Sequence, residues 1–373
     1  MARALVALSG GVDSAVAAAL LVRDGWEVIG VTAHLVDLSP QGLGVSRCCA
    51  PQDVELARAA AWRLGIPHYL LDMEETFRSQ VLEPFIAGYL SGTTPSPCIR
   101  CNSRVKVGGL MPVADRFGAE VVATGHYART DIDEQGRPRL FRGRDLDRDQ
   151  SYFLFDLSLA HLQRLAFPLG LLTKAEVRAL AGELDLPNAE RRDSQEVCFV
   201  PPGWSYPEVL ERLAPGRAGG AGDMVDLSGT VLGTHKGIHH YTVGQRRGLG
   251  LSGQQARYVV ALDAASNRVV VGGATQVERR TIGVQEINWL IPEPSEEFTT
   301  TVQVRSRHQP AAAAVVPLPG RRAEVRFEHP VAAPAPGQAA VFYQGSRVLG
   351  GGWIGDLPDA DSPAGAAPDE PLT

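Results

Sequence analysis

Ser9-Gly10-Gly11-Val12-Asp13-Ser14 stands between the first apolar run of this chain and its first segment of helical periodicity, and that placement restricts the fold more than any other feature. Arg3 to Leu8 reads as a buried strand, and Val12 to Arg23 repeats apolar residues at helical spacing through Val12, Val16 and Leu20. Two glycines between them let the backbone turn tightly and approach a ligand. Amides that open a helix point at whatever lies in front of them with partial positive charge. Ser9 and Ser14 add hydroxyl donors, so the loop reads as a phosphate cradle. The competing reading, an ordinary strand-turn-helix with an N-capping serine, fits a Gly-Gly turn better than it fits the whole six-residue string.

The cradle is not the Gly-Lys-Ser/Thr kind, in which a lysine reaches the terminal phosphates, because no lysine precedes Lys106. A Ser-Gly-Gly-x-Asp-Ser turn after the first strand resembles the loop of the ATP-pyrophosphatase (PP-loop) superfamily. Its members cleave ATP between the α and β phosphates and adenylate an oxygen of the substrate.

Down to about residue 125 apolar strands alternate with helices: Trp26 to His34, Gln52 to Leu64, His68 to Leu71, and Val121 to Ala123 before Thr124-Gly125-His126-Tyr127. That alternation predicts an α/β fold with a doubly wound parallel sheet, whose ligands sit at the carboxyl ends of the strands. Residues 129–145 read as a polar hairpin and 151–186 as helical. After Phe199 the pattern changes to short alternating strands, such as Arg257 to Leu262 and Arg268 to Val271. From Thr281 to Ile354 longer strands with turns between them predict a small β-barrel. The expected domains are a PP-loop catalytic domain over 1–203, a small mostly-β central domain over 204–275, a C-terminal β-barrel over 276–355 and a disordered tail over 356–373.

No stretch approaches the roughly twenty apolar residues of a membrane span, and the chain enters a strand without a signal-peptide pattern, so a cytoplasmic protein is expected. The net charge of −6 argues against nucleic acid, but Asp356, Asp359, Asp361, Asp369 and Glu370 crowd into the tail. Ahead of it lie basic clusters at Arg137, Arg139, Arg142, Arg144 and Arg148, at Arg246 and Arg247, and at Arg305, Arg307 and His308. Arginine grips phosphate bidentately and stacks on bases, so the pattern permits RNA binding without requiring it.

Five cysteines, an odd number, argue against a disulfide framework and towards chemistry or metal. Cys98 and Cys101 form a Cys-x-x-Cys after Pro95 and Pro97. With Asn102 to Phe117 helical, Cys101 would lie near a helix N-terminus, where the dipole lowers a thiol pKa. Cys198 follows in Asp193-Ser194-Gln195-Glu196-Val197-Cys198-Phe199; alone it reads equally well as a buried strand cysteine. Cys48 and Cys49 read as structural.

Six motifs then occur in one order: the 9–14 loop, Pro95-Ser96-Pro97-Cys98-Ile99-Arg100-Cys101-Asn102, Ala123-Thr124-Gly125-His126-Tyr127, Arg148-Asp149-Gln150-Ser151-Tyr152, Asp193-Ser194-Gln195 with Cys198-Phe199, and Tyr241-Thr242-Val243-Gly244-Gln245-Arg246. Together they resemble the tRNA-specific 2-thiouridylases (MnmA type) across nearly all of residues 3–355. The resemblance implies ATP-dependent thiolation of uridine at the wobble position, 34, of tRNAs for Lys, Glu and Gln. Uridine O2 would attack the α-phosphate, and Mg2+ would hold the leaving pyrophosphate. ATP would lie on Ala7, Leu8, Ser9, Gly10, Gly11, Val12, Asp13 and Ser14, with Ala33 and Gly125 around the nucleotide. Cys198 would carry a persulfide and Cys101 would act as nucleophile, the two closing a disulfide. Ser96, Pro97 and Cys98 would line the pocket for the flipped target base. His126, Arg148, Asp149, Gln150, Arg305, Ser306 and Gln344 would contact the tRNA. A sulfur-donor protein is the expected second partner, and the expected state is a monomer.

Cys98 departs from the best-known members, which carry Asp there, and Ser306 replaces their usual aromatic. Relatives with this Cys-x-x-Cys resemble cluster-dependent thiolases, so Cys98, Cys101 and Cys198 would alternatively hold a [4Fe–4S] cluster. A structural zinc would need a fourth ligand, for which His126 or Cys48 has no support in the spacing. Two other readings stand beside thiolation: a different PP-loop ligase or amidotransferase, although no glutaminase segment is visible, and a non-catalytic RNA-binding protein using the barrel alone.

Overall fold

The computed structural model describes residues 1–38, 42–43, 50–191, 197–251 and 255–356. The expectations for Cys48, Cys49, Asp193-Ser194-Gln195 and the tail beyond residue 356 fall outside them. Five parallel strands form the first sheet: β1 (Arg3–Ala7), β2 (Glu27–His34), β3 (His68–Asp72), β4 (Val121–Ala123) and, beyond an intervening hairpin, β7 (Leu165–Ala166). Their order is β3-β2-β1-β4-β7. The alternation of side chains along β1 shows why both faces are covered. Ala4 and Val6 pack with Ala18, Leu21, Ala57 and Ala61 of the helices Val12–Arg23 and Pro51–Leu64. Leu5 points the other way, into a core with Phe77, Phe85, Ile99 and Val105. A strand buried on both faces reads as a continuous apolar run, as Arg3 to Leu8 does.

The chain order reverses between β1 and β4, which places the open crevice beyond Ala7 and Ala123. Residues 151–186, expected helical throughout, are broken. Lys174–Glu183 is a helix, with Thr173 and Glu176 forming a capping box, but Leu165–Ala166 pairs with β4 as the sheet edge. Two residues paired on one side give too short an alternation to be read as a strand. The hairpin β5 (Ala128–Ile132) and β6 (Pro138–Arg142) leaves this domain altogether: Phe141 and Leu140 pair with Arg347 and Val348 of the C-terminal barrel.

Four short strands, Gly222–Val225, Val231–His235, Tyr258–Asp263 and Arg268–Gly272, make the second sheet. Six antiparallel strands between Glu278 and Gly355 close into the barrel, the closing pair being Glu278–Trp289 with Arg347–Gly355. Its interior holds Val302, Val315, Val325 and Phe342, all inward positions of the alternating strands.

Candidate functional site

The 8–11 turn leaves β1 with Gly10 at φ +73°, and a Cβ there would stand 2.3 Å from the Asp53 carbonyl oxygen. A side chain fits neither the dihedral nor the space. Asn188 clamps the turn from outside, its Nδ2 donating to Gly10 O at 3.2 Å and Gly11 O at 3.0 Å. Arg191 donates to Gly10 O at 3.3 Å and pairs with Asp53. Gly11 is the N-cap of Val12–Arg23 and no side chain caps that helix end. The N-capping serine reading therefore fails, and the first amides stay directed at the crevice.

Ser9 and Ser14 play different parts. Ser14 is buried; its hydroxyl donates to Gly11 O at 3.0 Å and accepts from the Ser9 amide at 3.1 Å. Its proton shapes the loop, whereas the Ser9 side chain is exposed. Gly125 lets β4 close on the loop: a Cβ there would meet Asp13 C and Ser14 N, each at 2.7 Å.

A cavity of about 400 Å3 opens over this turn. Ala7, Leu8, Ser9, Gly11, Val12, Asp13, Ser14, Ala33 and Gly125 line it, so nine of the ten residues expected around the nucleotide converge there. Gly10 lies under the turn, against Asp53. His126, Arg148, Gln150 and Cys198 line the same cavity. Four cationic or polar residues not singled out from the sequence complete it: Lys106, Tyr127, Lys174 and Arg191. Lys174 Nζ lies 2.8 Å from both carboxylate oxygens of Asp13, and Tyr127 OH donates to Asp13 Oδ1 at 2.8 Å. The loop has its lysine after all, delivered by a helix 161 residues downstream. The expected helical stretch of 151–186 includes Lys174, but nothing in its spacing pointed to Asp13.

Ser96, Pro97, Cys98 and Cys101 are not among the residues that line this cavity. Pro97–Arg100 opens a helix that continues as wide π-type turns through Cys101–Val107, closed by Gly108 N donating to Ser103 O at 3.1 Å. Cys101 is thus a turn inside the helix instead of at its start. Burial pushes its thiol up to about 11 against the pull of the Lys106 ammonium, and burial raises Cys98 as well. The expected dipole-lowered thiolate is overturned by desolvation, the larger effect. Burial, aided by the Lys106 charge, pushes His126 down to about 3, so it is neutral at pH 7. Its Nδ1 lies 2.7 Å from Thr124 Oγ1. Cys98 and Cys101 are free thiols, and Cys198 is disulfide-bonded to neither. Cys98 and Cys101 would supply two of the three thiolates that a [4Fe–4S] cluster with one open iron takes.

Three family models match the chain in sequence: one described as tRNA methyl transferase HUP domain over residues 2–202, one as tRNA methyl transferase PRC-barrel domain over 209–273, and one as aminomethyltransferase β-barrel domain over 279–354. Curated relatives named tRNA-specific 2-thiouridylase MnmA are similar along nearly the whole chain. The relative from Paramagnetospirillum magneticum is 50% identical over 94% of this chain and 95% of its own length. That from Acidithiobacillus ferrooxidans is 49% identical over 94% and 98%, and that from Chloroflexus aurantiacus 48% over 95% and 98%. The chain belongs to the tRNA-specific 2-thiouridylase family.

In this 2-thiouridylase-family fold the remaining expected contacts fall into two groups. Arg148 and Gln150 border the cavity over the 8–11 turn, and Gln150 exchanges bonds with the Tyr127 backbone at 2.9 and 3.0 Å. The Asp149 carboxylate is turned inward: it accepts from Arg142 at 2.7 Å, from the Gly143 and Ser151 amides and from the Ser151 hydroxyl. Arg142 then stacks 3.6 Å over Tyr343 and donates to Gln303 at 2.8 Å. Gln303 in turn donates to the Arg305 and Ser306 carbonyls, each at 3.0 Å. Arg305, Ser306 and Gln344 are exposed on the barrel. Asp149 therefore reaches the barrel contacts through a buried chain of side chains.

The arginine cluster of residues 137–148 is largely neutralised: Arg137 pairs with Asp133, Arg139 with Asp131, Arg142 with Asp149 and Arg144 with Glu176. Only the Asp133–Arg137 pair is local; Asp131 lies across the hairpin from Arg139, Asp149 in the segment after it and Glu176 on the helix Lys174–Glu183. The Ser96-Pro97-Cys98 segment is tied to the barrel from both sides. Thr94 N donates to Pro336 O at 2.7 Å, Gln338 Nε2 to Thr94 O at 2.8 Å, and Arg100 lies 5.0 Å over Trp353.

Proposed function

We propose that this chain is an ATP-dependent tRNA 2-thiouridylase that adenylates the wobble uridine at O2 and replaces that oxygen by sulfur. One observation carries the reading: Cys198 lines the same cavity as the 9–14 loop. A sulfur carrier beside a phosphate cradle suits thiolation and has no part in a different PP-loop ligation or amidotransfer or in RNA binding alone.

ATP lies with its phosphates on the amides of Gly11 to Ser14 and the Ser9 hydroxyl, and its adenosine between Ala33 and Gly125. Mg2+ would neutralise the charge of the leaving pyrophosphate, with Asp13 the carboxylate of the loop that would hold it. Uridine O2 attacks the α-phosphorus and pyrophosphate leaves. This step converts a poor leaving oxygen into AMP. The terminal sulfur of a persulfide on Cys198 then attacks C2, and AMP departs with O2. Cys101, as thiolate, attacks Cys198 Sγ; the S–S bond breaks and leaves the outer sulfur on C2, while Cys101 and Cys198 become a disulfide. External thiol and a sulfur-donor protein reset both residues. The thiol of Cys101 must surrender its proton for this, and the Lys106 ammonium is the charge that favours it.

Ser96, Pro97 and Cys98 bound the flipped base, with Arg148, Gln150 and His126 between base and nucleotide. Arg305, Ser306 and Gln344 extend the contact along the anticodon arm, positioned by Asp149 through Arg142 and Gln303. The substrates are tRNAs for Lys, Glu and Gln, and the enzyme works as a cytoplasmic monomer. The test is mass spectrometry of nucleosides after incubating unmodified tRNA with ATP, a sulfur source and the protein. Wild type forms 2-thiouridine and Cys198→Ser forms none; an unmodified tRNA in the wild-type reaction refutes the reading, and binding without product favours a non-catalytic RNA binder.

A further inference from the structure

Between the helix Tyr206–Leu213 and the turn Ile238–His240 three ligating side chains meet. Glu211 Oε1 lies 3.1 Å from His239 Nε2 and 3.1 Å from His240 Nε2, and all three atoms fall within 4.8 Å of one another. The two imidazoles stand 4.3 Å apart, tilted by 43°. Their placement is built into the backbone. Gly237 has φ +141°, and a Cβ on it would meet His239 Cε1 at 2.5 Å and Nδ1 at 2.8 Å, so only glycine lets that ring in.

Hydrogen bonding alone explains the cluster poorly. His239 is buried, and the Nε2 atoms of both histidines converge on a single oxygen of Glu211. A tetrahedral zinc ion with bonds of about 2.0–2.1 Å holds its ligand atoms roughly 3.3 Å apart. The observed 3.1 Å between each nitrogen and the oxygen is already close to that spacing. Two imidazoles and one carboxylate form a donor set suited to zinc, with a fourth position open to water because Glu211 and His240 are partly exposed.

We infer that Glu211, His239 and His240 form a binding site for one zinc ion that fastens the helix Tyr206–Leu213 to the turn leading into Tyr241–Arg247. The ion joins a helix whose Val209 and Leu210 pack in the core of the first domain to a turn whose Ile238 packs in the small four-stranded domain, so it cross-links segments roughly thirty residues apart. Arg246 and Arg247, exposed a few residues later, sit on the loop that this link steadies.

The experiment uses the full chain, stripped of metal and reduced, titrated with Zn2+ by calorimetry and with Co2+ by visible absorption. Cobalt on nitrogen and oxygen ligands shows d–d bands without the near-ultraviolet sulfur charge transfer that Cys98, Cys101 or Cys198 would produce. The expected result is one equivalent bound with that sulfur-free spectrum, raising the melting temperature. Glu211→Gln, nearly isosteric and on an exposed side chain, and His240→Ala each weaken this binding by about tenfold or more while melting like wild type without metal. If wild type shows no such equivalent, or if folded Glu211→Gln binds zinc as tightly as wild type, the site does not exist. Neither result touches the thiolation chemistry, which uses none of these residues.

Discussion

Lys174→Met tests whether the cradle depends on a lysine from outside the loop. In the folded chain the ammonium sits 2.8 Å from both Asp13 oxygens, with the lysine side chain 10% and the aspartate 31% exposed. Removing one partner of a fully buried ion pair costs about 3–5 kcal/mol. Here Asp13 keeps the Tyr127 hydroxyl and some water, which reduces the loss to about 2 kcal/mol. Without the lysine, an uncompensated carboxylate faces an incoming triphosphate. The same roughly 2 kcal/mol then appears as about a 30-fold drop in kcat/KM for ATP. The assay is tRNA-dependent pyrophosphate release across ATP concentrations, with the melting temperature as control. Because the two residues act as a unit, Asp13→Asn combined with Lys174→Met should be no worse than the more damaging single variant. A folded Lys174→Met within about threefold of wild type, or strictly additive losses, would refute the reasoning.

Gly10→Ala forces a β-carbon into φ +73° and against Asp53 O; the dihedral alone costs about 1–2 kcal/mol, so calorimetry should show a lower melting temperature and ATP binding should fall with it. Burying His126 in its neutral form, with its pKa down from 6.5 to about 3, favours the native state only while the unfolded histidine is also neutral. Stability is therefore full above pH 6.5 and erodes as the pH falls towards 3, by up to about 2 kcal/mol at pH 5. Urea unfolding at pH 7 and pH 5 should show a smaller pH effect in His126→Asn. Cys101, raised to about 11, should be alkylated by iodoacetamide at a rate that keeps climbing beyond pH 9, measured by peptide mass spectrometry; a plateau near pH 8 would contradict its burial. Arg142→Ala removes the Asp149, Tyr343 and Gln303 contacts together, and hydrogen exchange at residues 143–151 and 303–306 should rise in concert.

What the sequence disclosed was whatever is written locally. The glycine turn after an apolar run, the alternation of strand and helix to Ala123, and the period-two strands from Thr281 onward are all short-range patterns, and the sheet and barrel follow them. Leu165–Ala166 escaped because it is a strand only by pairing with β4. The hairpin of Ala128–Ile132 and Pro138–Arg142 was readable, but its annexation by the barrel through Arg347 was not. At the site, the convergence of residues 7–9 and 11–14 on one cavity was legible because residues 7–14 are consecutive. Lys174, Asn188 and Arg191 were not, since each reaches the loop from more than 160 residues away and only the folded chain joins them. The Cys101 thiol shows the opposite error: a correct local rule about helix starts was outweighed by burial that no local pattern records.

The central claim is that ATP activates the uridine oxygen that sulfur will replace. Transcribing tRNA with uridine labelled by 18O at O2 and analysing the released AMP tests it directly. The account predicts one 18O atom in AMP for every 2-thiouridine formed. AMP that carries no label while 2-thiouridine accumulates would contradict it.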